Sequence, residues 1–100
     1  MANQITSTKQ LTDSGEVGVA GQPVRVYRIV GLSGATLGNS TFKSNGSSGT
    51  TLFTAVCTAI SADNIFDVGG TKGFVFPQGC YWTKDANTTD VKVIYETDVA

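Results

Sequence analysis

The spacing of apolar residues along the chain is typical of strands separated by turns. Residues 24–30 (VRVYRIV) have the two-residue period of a β-strand, and residues 91–96 (VKVIYE) repeat it. Clusters of Gly, Ser, Asn and Pro lie between such segments. No window of the sequence places apolar residues three and four positions apart between helix caps. The pattern therefore predicts an all-β protein.

The number of strand segments predicts the architecture. Seven or eight short strands fit into the 100 residues, with a turn signal about every 8 to 12 positions. This cadence is typical of a β-sandwich or a jelly roll with antiparallel strands. A chain of this length supports one hydrophobic core. We therefore expect a single β-sandwich domain over residues 15–100, preceded by an extended N-terminal arm or edge strand over residues 1–14.

The longest mostly apolar stretch lies between Leu52 and Ile60. The surrounding run from Thr50 to Ser61, read as a strand, has apolar side chains on both faces, which predicts a central strand covered on both sides. A short helix from Thr54 is the alternative. The stretch is shorter than the roughly 20 residues that a membrane-spanning helix needs. We therefore expect a soluble protein without a membrane partner.

The N-terminal segment alternates like a strand but is mostly polar. It offers only Ile5 and Leu11 to a core of its own. Such a strand lies at a sheet edge or on a neighbouring chain, where backbone hydrogen bonds stabilise it. We predict that the arm attaches the protein to a partner. The candidate contact residues are Gln4, Ile5, Thr6, Lys9 and Leu11.

Several classes of chemistry are disfavoured by the residues present. The chain has no histidine, so it lacks both the commonest general base and the commonest metal ligand. Cys57 and Cys80 stand 23 positions apart without a second pair, unlike the ligands of a zinc site. Aspartates such as Asp63 and Asp85 sit among turn residues, where they bond to the backbone. We expect no enzymatic activity, no metal and no cofactor.

Charge and targeting signals restrict the partners and the compartment. The formal net charge is −1 and the seven Lys and Arg residues are scattered, so we expect no nucleic-acid partner. The N-terminus lacks the basic and apolar regions of a secretory signal. We expect synthesis in a cytoplasm, where a disulfide between Cys57 and Cys80 is disfavoured. Two free thiols are therefore predicted.

Tyr81 and Trp82 are adjacent aromatic residues near the end of the chain. Because successive side chains of a strand point to opposite faces, one of the two is a candidate exposed aromatic. An exposed ring with a polar tip suits a binding surface. A carbohydrate-binding or adhesin-like module with a surface glycan as its ligand is therefore an alternative function.

Three segments together resemble a known class of proteins. Residues 24–29 (VRVYRI) with the Gly- and Ser-rich turns that follow, residues 79–82 (GCYW) and residues 91–96 (VKVIYE) are similar to the small virion proteins of tailed bacteriophages, especially marine ones. The resemblance covers residues 23–96. It implies a virion β-sandwich, most often a capsid decoration (cement) protein bound to the major capsid protein as a homotrimer. A small tail, fibre or head–tail component is the alternative within the same class.

The resemblance therefore leads to a functional expectation. We expect a non-enzymatic protein, made in the host cytoplasm and located in the virion, that stabilises the assembled phage head. A protein that binds only the assembled shell stabilises it by mass action. The low charge and the Thr- and Gly-rich composition suit sheet contacts with neighbouring copies.

Overall fold

A computed structural model describes residues 7–69 and 72–97, and these residues form nine β-strands. All pairings between the strands are antiparallel. The predicted all-β class is therefore confirmed. In chain order the strands are β1 Ser7–Leu11, β2 Gly15–Val17, β3 Val24–Ser33, β4 Gly38–Ser44, β5 Thr50–Cys57, β6 Asp63–Asp67, β7 Phe74–Phe76, β8 Cys80–Thr83 and β9 Thr88–Glu96.

The strands form two sheets. Sheet A has the order β1-β9-β3-β6, with β7 also paired to β3, and sheet B has the order β2-β8-β4-β5. Both β6 and β7 lie along the edge of β3 that faces away from β9, so they occupy one strand position. If β6 and β7 are counted as one strand, β8 and β9 become the seventh and eighth strands. The order of sheet A is then 1-8-3-6 and that of sheet B is 2-7-4-5, which is the strand order of a jelly roll. The predicted sandwich or jelly roll is confirmed.

The interruption between β6 and β7 depends on two glycines. Gly69 and Gly73 have φ angles of 73° and 72°, a left-handed conformation that favours glycine. A side chain on Gly69 would also collide with the carbonyl of Gly73, because the backbone closes on itself there. The Val68 N–H donates to the Tyr27 carbonyl at 3.2 Å, which extends the ladder of β6 up to this loop.

The hydrophobic core lies between the two sheets. Phe42 on β4 and Trp82 on β8 are direct neighbours in sheet B, and both are fully buried. Full burial of a large apolar side chain contributes about 1.5–3 kcal/mol to stability. The ring of Phe53 in sheet B meets that of Phe66 in sheet A edge-on, with their centroids 5.6 Å apart. The sheets are thus joined by packing both at their centre and on the side where β5 passes into β6.

The position of β5 differs from the prediction. We expected residues 50–61 to form a central strand covered on both sides, but β5 is the edge strand of sheet B and pairs only with β4. Its inner side chains Ala55 and Cys57 are buried, whereas Thr54 and Val56 on the outer face are exposed. The alternative of a helix from Thr54 is also wrong. The apolar residues on the two faces of β5 therefore have different environments, because one face is buried in the core and the other is open.

The Asn45-Gly46 turn connects β4 with β5, and both residues have positive φ angles of 76° and 77°. The prediction of two free thiols is confirmed. Cys57 and Cys80 are free thiols buried in the core. They lie in strands β5 and β8, which β4 separates. Two strand spacings amount to about 10 Å, beyond the roughly 7 Å that a disulfide can join.

Candidate interaction surfaces

Strand β1 is an edge strand of its own sheet. It pairs with β9 along its whole length, from Ser7 opposite Tyr95 to Leu11 opposite Val91. Among the described residues no strand lies on its other side. The sequence left a choice between a sheet edge and a neighbouring chain, and for residues 7–11 the sheet edge is correct. Pairing of these residues with another chain can use only their outer edge.

The predicted contact residues of the arm have different environments. Gln4, Ile5 and Thr6 lie outside the described residues. Leu11 packs against the core of its own domain. Lys9 is exposed, yet it lies opposite buried Val93 and therefore on the inner face of the sheet. A charge on the inner face of an edge strand opposes unspecific edge-to-edge pairing.

The outer face of sheet B contains one partly buried aromatic residue, Tyr81. Trp82 is fully buried, so its prediction as a candidate exposed aromatic is wrong, and Tyr81 is the one that faces outward. Tyr81 is half-buried and lies in register between Glu16 on β2 and Lys43 on β4. The next row of the same face consists of threonines, namely Thr83, Thr41 and Thr54. These two rows are polar, with one aromatic ring between an acid and a base.

Glu16 is held close to the turn before β8. One of its oxygens, Oε2, is buried and has no hydrogen-bond partner in the described part of the chain. Burial raises the pKa of Glu16, although a hydrogen bond from the Cys80 backbone acts in the opposite direction. Gly79, with φ of 91°, lies directly beneath the carboxylate, and a Cβ there would come within 2.8 Å of Oε2.

The outer face of sheet A combines polar contacts with an apolar patch. Arg28 contacts Asp67 at 2.7 Å, and Gln10 donates to Asp90 at 3.0 Å. Between these polar contacts Val30 on β3 lies directly opposite Ile65 on β6, whose side chain is 61% exposed. An ion pair and a hydrogen bond thus flank a small apolar centre on this face.

A second polar cluster lies at the other end of that face. The Tyr27 hydroxyl donates to Glu96 Oε1 at 3.0 Å, and Arg25 lies 3.6 Å from the same oxygen. Burial and the bond to Glu96 raise the pKa of Tyr27. The Arg25 guanidinium also donates to the Lys72 carbonyl at 2.8 Å, which fastens the loop before β7 to β3.

Asp85 organises the loop between β8 and β9. Its carboxylate accepts the backbone N–H of Asn39 at 2.9 Å and that of Thr88 at 3.0 Å. Burial acts to raise the pKa of Asp85, but these hydrogen bonds outweigh it, so the pKa lies below its usual value. The prediction that this aspartate bonds to the backbone is confirmed.

Within residues 7–69 and 72–97, no three His, Cys, Asp or Glu side chains come together as a metal site requires. The same residues include no helix that is long and apolar enough to span a membrane.

No protein-family model, curated protein or solved structure matches the chain.

Sequence reasoning missed the open edge of β5. Its signal was present in the charge pattern, because no charged residue and no proline occurs between Lys43 and Asp63. That run includes the whole of β5.

Proposed function

We propose that the protein is a non-enzymatic structural component of a tailed-phage virion that decorates and stabilises the assembled head. The observation that carries this proposal is the open edge strand β1 on a small jelly roll. Jelly rolls occur in viral capsid proteins, but also in lectins and cupins, so the fold alone does not determine the function. The choice of a virion protein rests on the resemblance of the three sequence segments.

The chemistry of β1 favours a partner that differs from this chain. Its outer edge offers backbone N–H and C=O groups that another strand can pair with. Lys9 stands at the centre of the strand, so pairing with β1 of a second copy would bring two lysines together. A strand with an acidic residue at that point avoids the repulsion and attracts Lys9. We assign this role to the major capsid protein.

Charge reversal on β1 tests the attachment. Lys9→Glu should weaken binding to phage shells assembled without the protein by about tenfold, which corresponds to about 1.4 kcal/mol. Lys72→Glu is the matched control, because Lys72 is also exposed but lies before β7, at the opposite edge of sheet A. Circular dichroism should show the same β signature for both variants. If Lys9→Glu binds as tightly as the wild type, β1 is not the attachment strand.

A second candidate function is binding of a surface glycan. It is favoured by the outward-facing Tyr81 between Glu16 and Lys43. The ring can stack on a sugar while the charged neighbours bond to its hydroxyls. On a glycan array, Tyr81→Ala should abolish binding and Tyr81→Phe should retain it, since the phenylalanine keeps the ring. Equal binding by both variants would exclude this function.

Two finer expectations from the resemblance remain proposals. One is a homotrimer on three-fold positions of the shell. The other is a head location, with a tail, fibre or head–tail position as the alternative.

A further inference from the structure

Strand β5 presents an edge without the usual protection against pairing. It is eight residues long, pairs only with β4, and contains neither a charged residue nor a proline. Proteins blunt such edges with charges, prolines or very short strands, because the unpaired backbone groups are a template for another strand. The edge of β5 is therefore suited to form a sheet with a further strand.

The other edges in the described part of the chain carry these protections. β1 has Lys9 at its centre, and β2 has three residues with Glu16 in the middle. β6 begins with Asp63 and ends with Asp67, and the short β7 is followed by Pro77. If β1, β2 or β6 paired with its own copy about a two-fold axis, like charges would oppose each other. The edge of β5 is free of that conflict.

The regular part of β5 is its second half. A register shift at Phe42 and Lys43 displaces the start of the strand, whereas residues 53–57 pair with β4 without interruption. On the outer face of this part, Thr54 is exposed and Val56 is 41% exposed. On the inner face, Phe53 is only half-buried although it contacts Phe66. Apolar surface thus remains uncovered along the same side of the domain.

We propose that residues 53–57 pair in antiparallel fashion with the same residues of a second copy of this chain. The two four-stranded B sheets would then form one continuous sheet about a two-fold axis. Such a contact is self-complementary. When the pairing is centred on Ala55, Thr54 of each copy lies opposite Val56 of the other, and both are β-branched residues that suit a strand pair. This inference does not rest on the proposed virion function.

The contact makes a dimer, with a molar mass twice the 10.4 kDa of the chain. A trimer, as the resemblance implies, would have three times that mass and would contradict pairing about a two-fold axis. Light scattering on a sizing column at about 100 µM detects a dimer whose Kd is about 10 µM or tighter. Circular dichroism and the fluorescence of Trp82 verify that each variant is folded.

Two double variants with the same substituted positions test the pairing. Thr54→Lys with Val56→Lys places like charges opposite each other across the two-fold axis, and this variant should have the mass of a monomer. Thr54→Lys with Val56→Glu places opposite charges there, and it should have the mass of a dimer like the wild type. Both positions are exposed, so the domain itself should tolerate either pair.

Several results would overturn the inference. These are a monomeric wild type at about 100 µM, a mass that the Lys/Lys variant does not change, and a Lys/Glu variant that is as monomeric as the Lys/Lys variant. If the Lys/Lys variant fails to fold, hydrogen exchange of the wild type decides. Raising the protein concentration should then slow exchange of amides in residues 53–57 and leave those of β1 unchanged. Exchange in residues 53–57 that is independent of concentration contradicts the pairing.

Discussion

Gly31 on β3 and Cys57 on β5 are in close contact across the two sheets. A Cβ atom at Gly31 would lie 2.7 Å from the Sγ atom of Cys57, which is too close for a real contact. The thiol is fully buried in the core. Gly31→Ala should therefore push the sheets apart locally and lower the free energy of unfolding by about 1–3 kcal/mol, as overpacked cores do.

Gly31→Ala should change the free energy of unfolding in the opposite direction when the Cys57 sulfur atom is absent. Cys57→Ala removes the sulfur atom with which the new methyl group collides. Gly31 does not have a positive φ, so alanine can adopt its backbone conformation. Within a strand, alanine is favoured over glycine by about 0.5–1 kcal/mol. In the Cys57→Ala background, Gly31→Ala should thus raise the free energy of unfolding by about that amount.

A double-mutant cycle measures the difference. The wild type, both single variants and the double variant are unfolded in urea under reducing conditions, with Trp82 as the probe because it is the sole tryptophan and is fully buried. We expect a coupling free energy of at least about 1.5 kcal/mol. If Gly31→Ala has the same effect in both backgrounds within about 0.5 kcal/mol, β3 and β5 do not pack as described.

Three further predictions concern single residues. Asp85→Ala should lower the free energy of unfolding at neutral pH by about 1–3 kcal/mol, because two backbone N–H groups lose their acceptor. The pKa of Asp85 is lowered in the native state, so its contribution to the free energy of unfolding is complete above the usual pKa of an aspartate and is lost as the pH falls through the native pKa. The urea midpoints of the variant and the wild type should therefore converge in acid. A difference between the two urea midpoints that stays constant with pH contradicts this role of Asp85. Burial raises the pKa of Glu16, so its ionised form opposes folding. Glu16→Gln should therefore have a higher free energy of unfolding than the wild type at neutral pH. This difference should shrink as the pH falls through the native pKa of Glu16. A difference that is the same at acidic and neutral pH contradicts the buried carboxylate. Burial also raises the pKa of both thiols. A thiol reagent should therefore label neither Cys57 nor Cys80 in the native protein, and it should label both after unfolding without reductant. Labelling of the native protein would show that the core is open.

The fold class was predictable because the two-residue period is a local property. Residues 24–30 and 91–96 fall within β3 and β9. The place of β5 in its sheet was not predictable in the same way. An alternation of apolar residues on both faces fits a central strand and also an edge strand, and the topology of the whole chain decides between them.

The candidate surfaces were predictable only in part. Strand alternation required Tyr81 and Trp82 to face opposite sides, but it could not tell which side is the core. Their neighbours in the sheet decide, because Trp82 lies opposite Gly15 on β2, which has no side chain, and opposite buried Phe42 on β4. For β1, the backbone hydrogen bonds that stabilise a polar strand can come from its own sheet or from another chain. The sequence alone therefore left both places open.

The number of copies per particle tests the proposed function most directly. Particles of the phage that we propose as the source would be purified, and the protein quantified by mass spectrometry against the major capsid protein. A decoration protein covers the shell, so we expect hundreds of copies per particle. A few dozen copies or fewer would place the protein in the tail or at the head–tail junction, and its absence from the particles would contradict a virion role altogether.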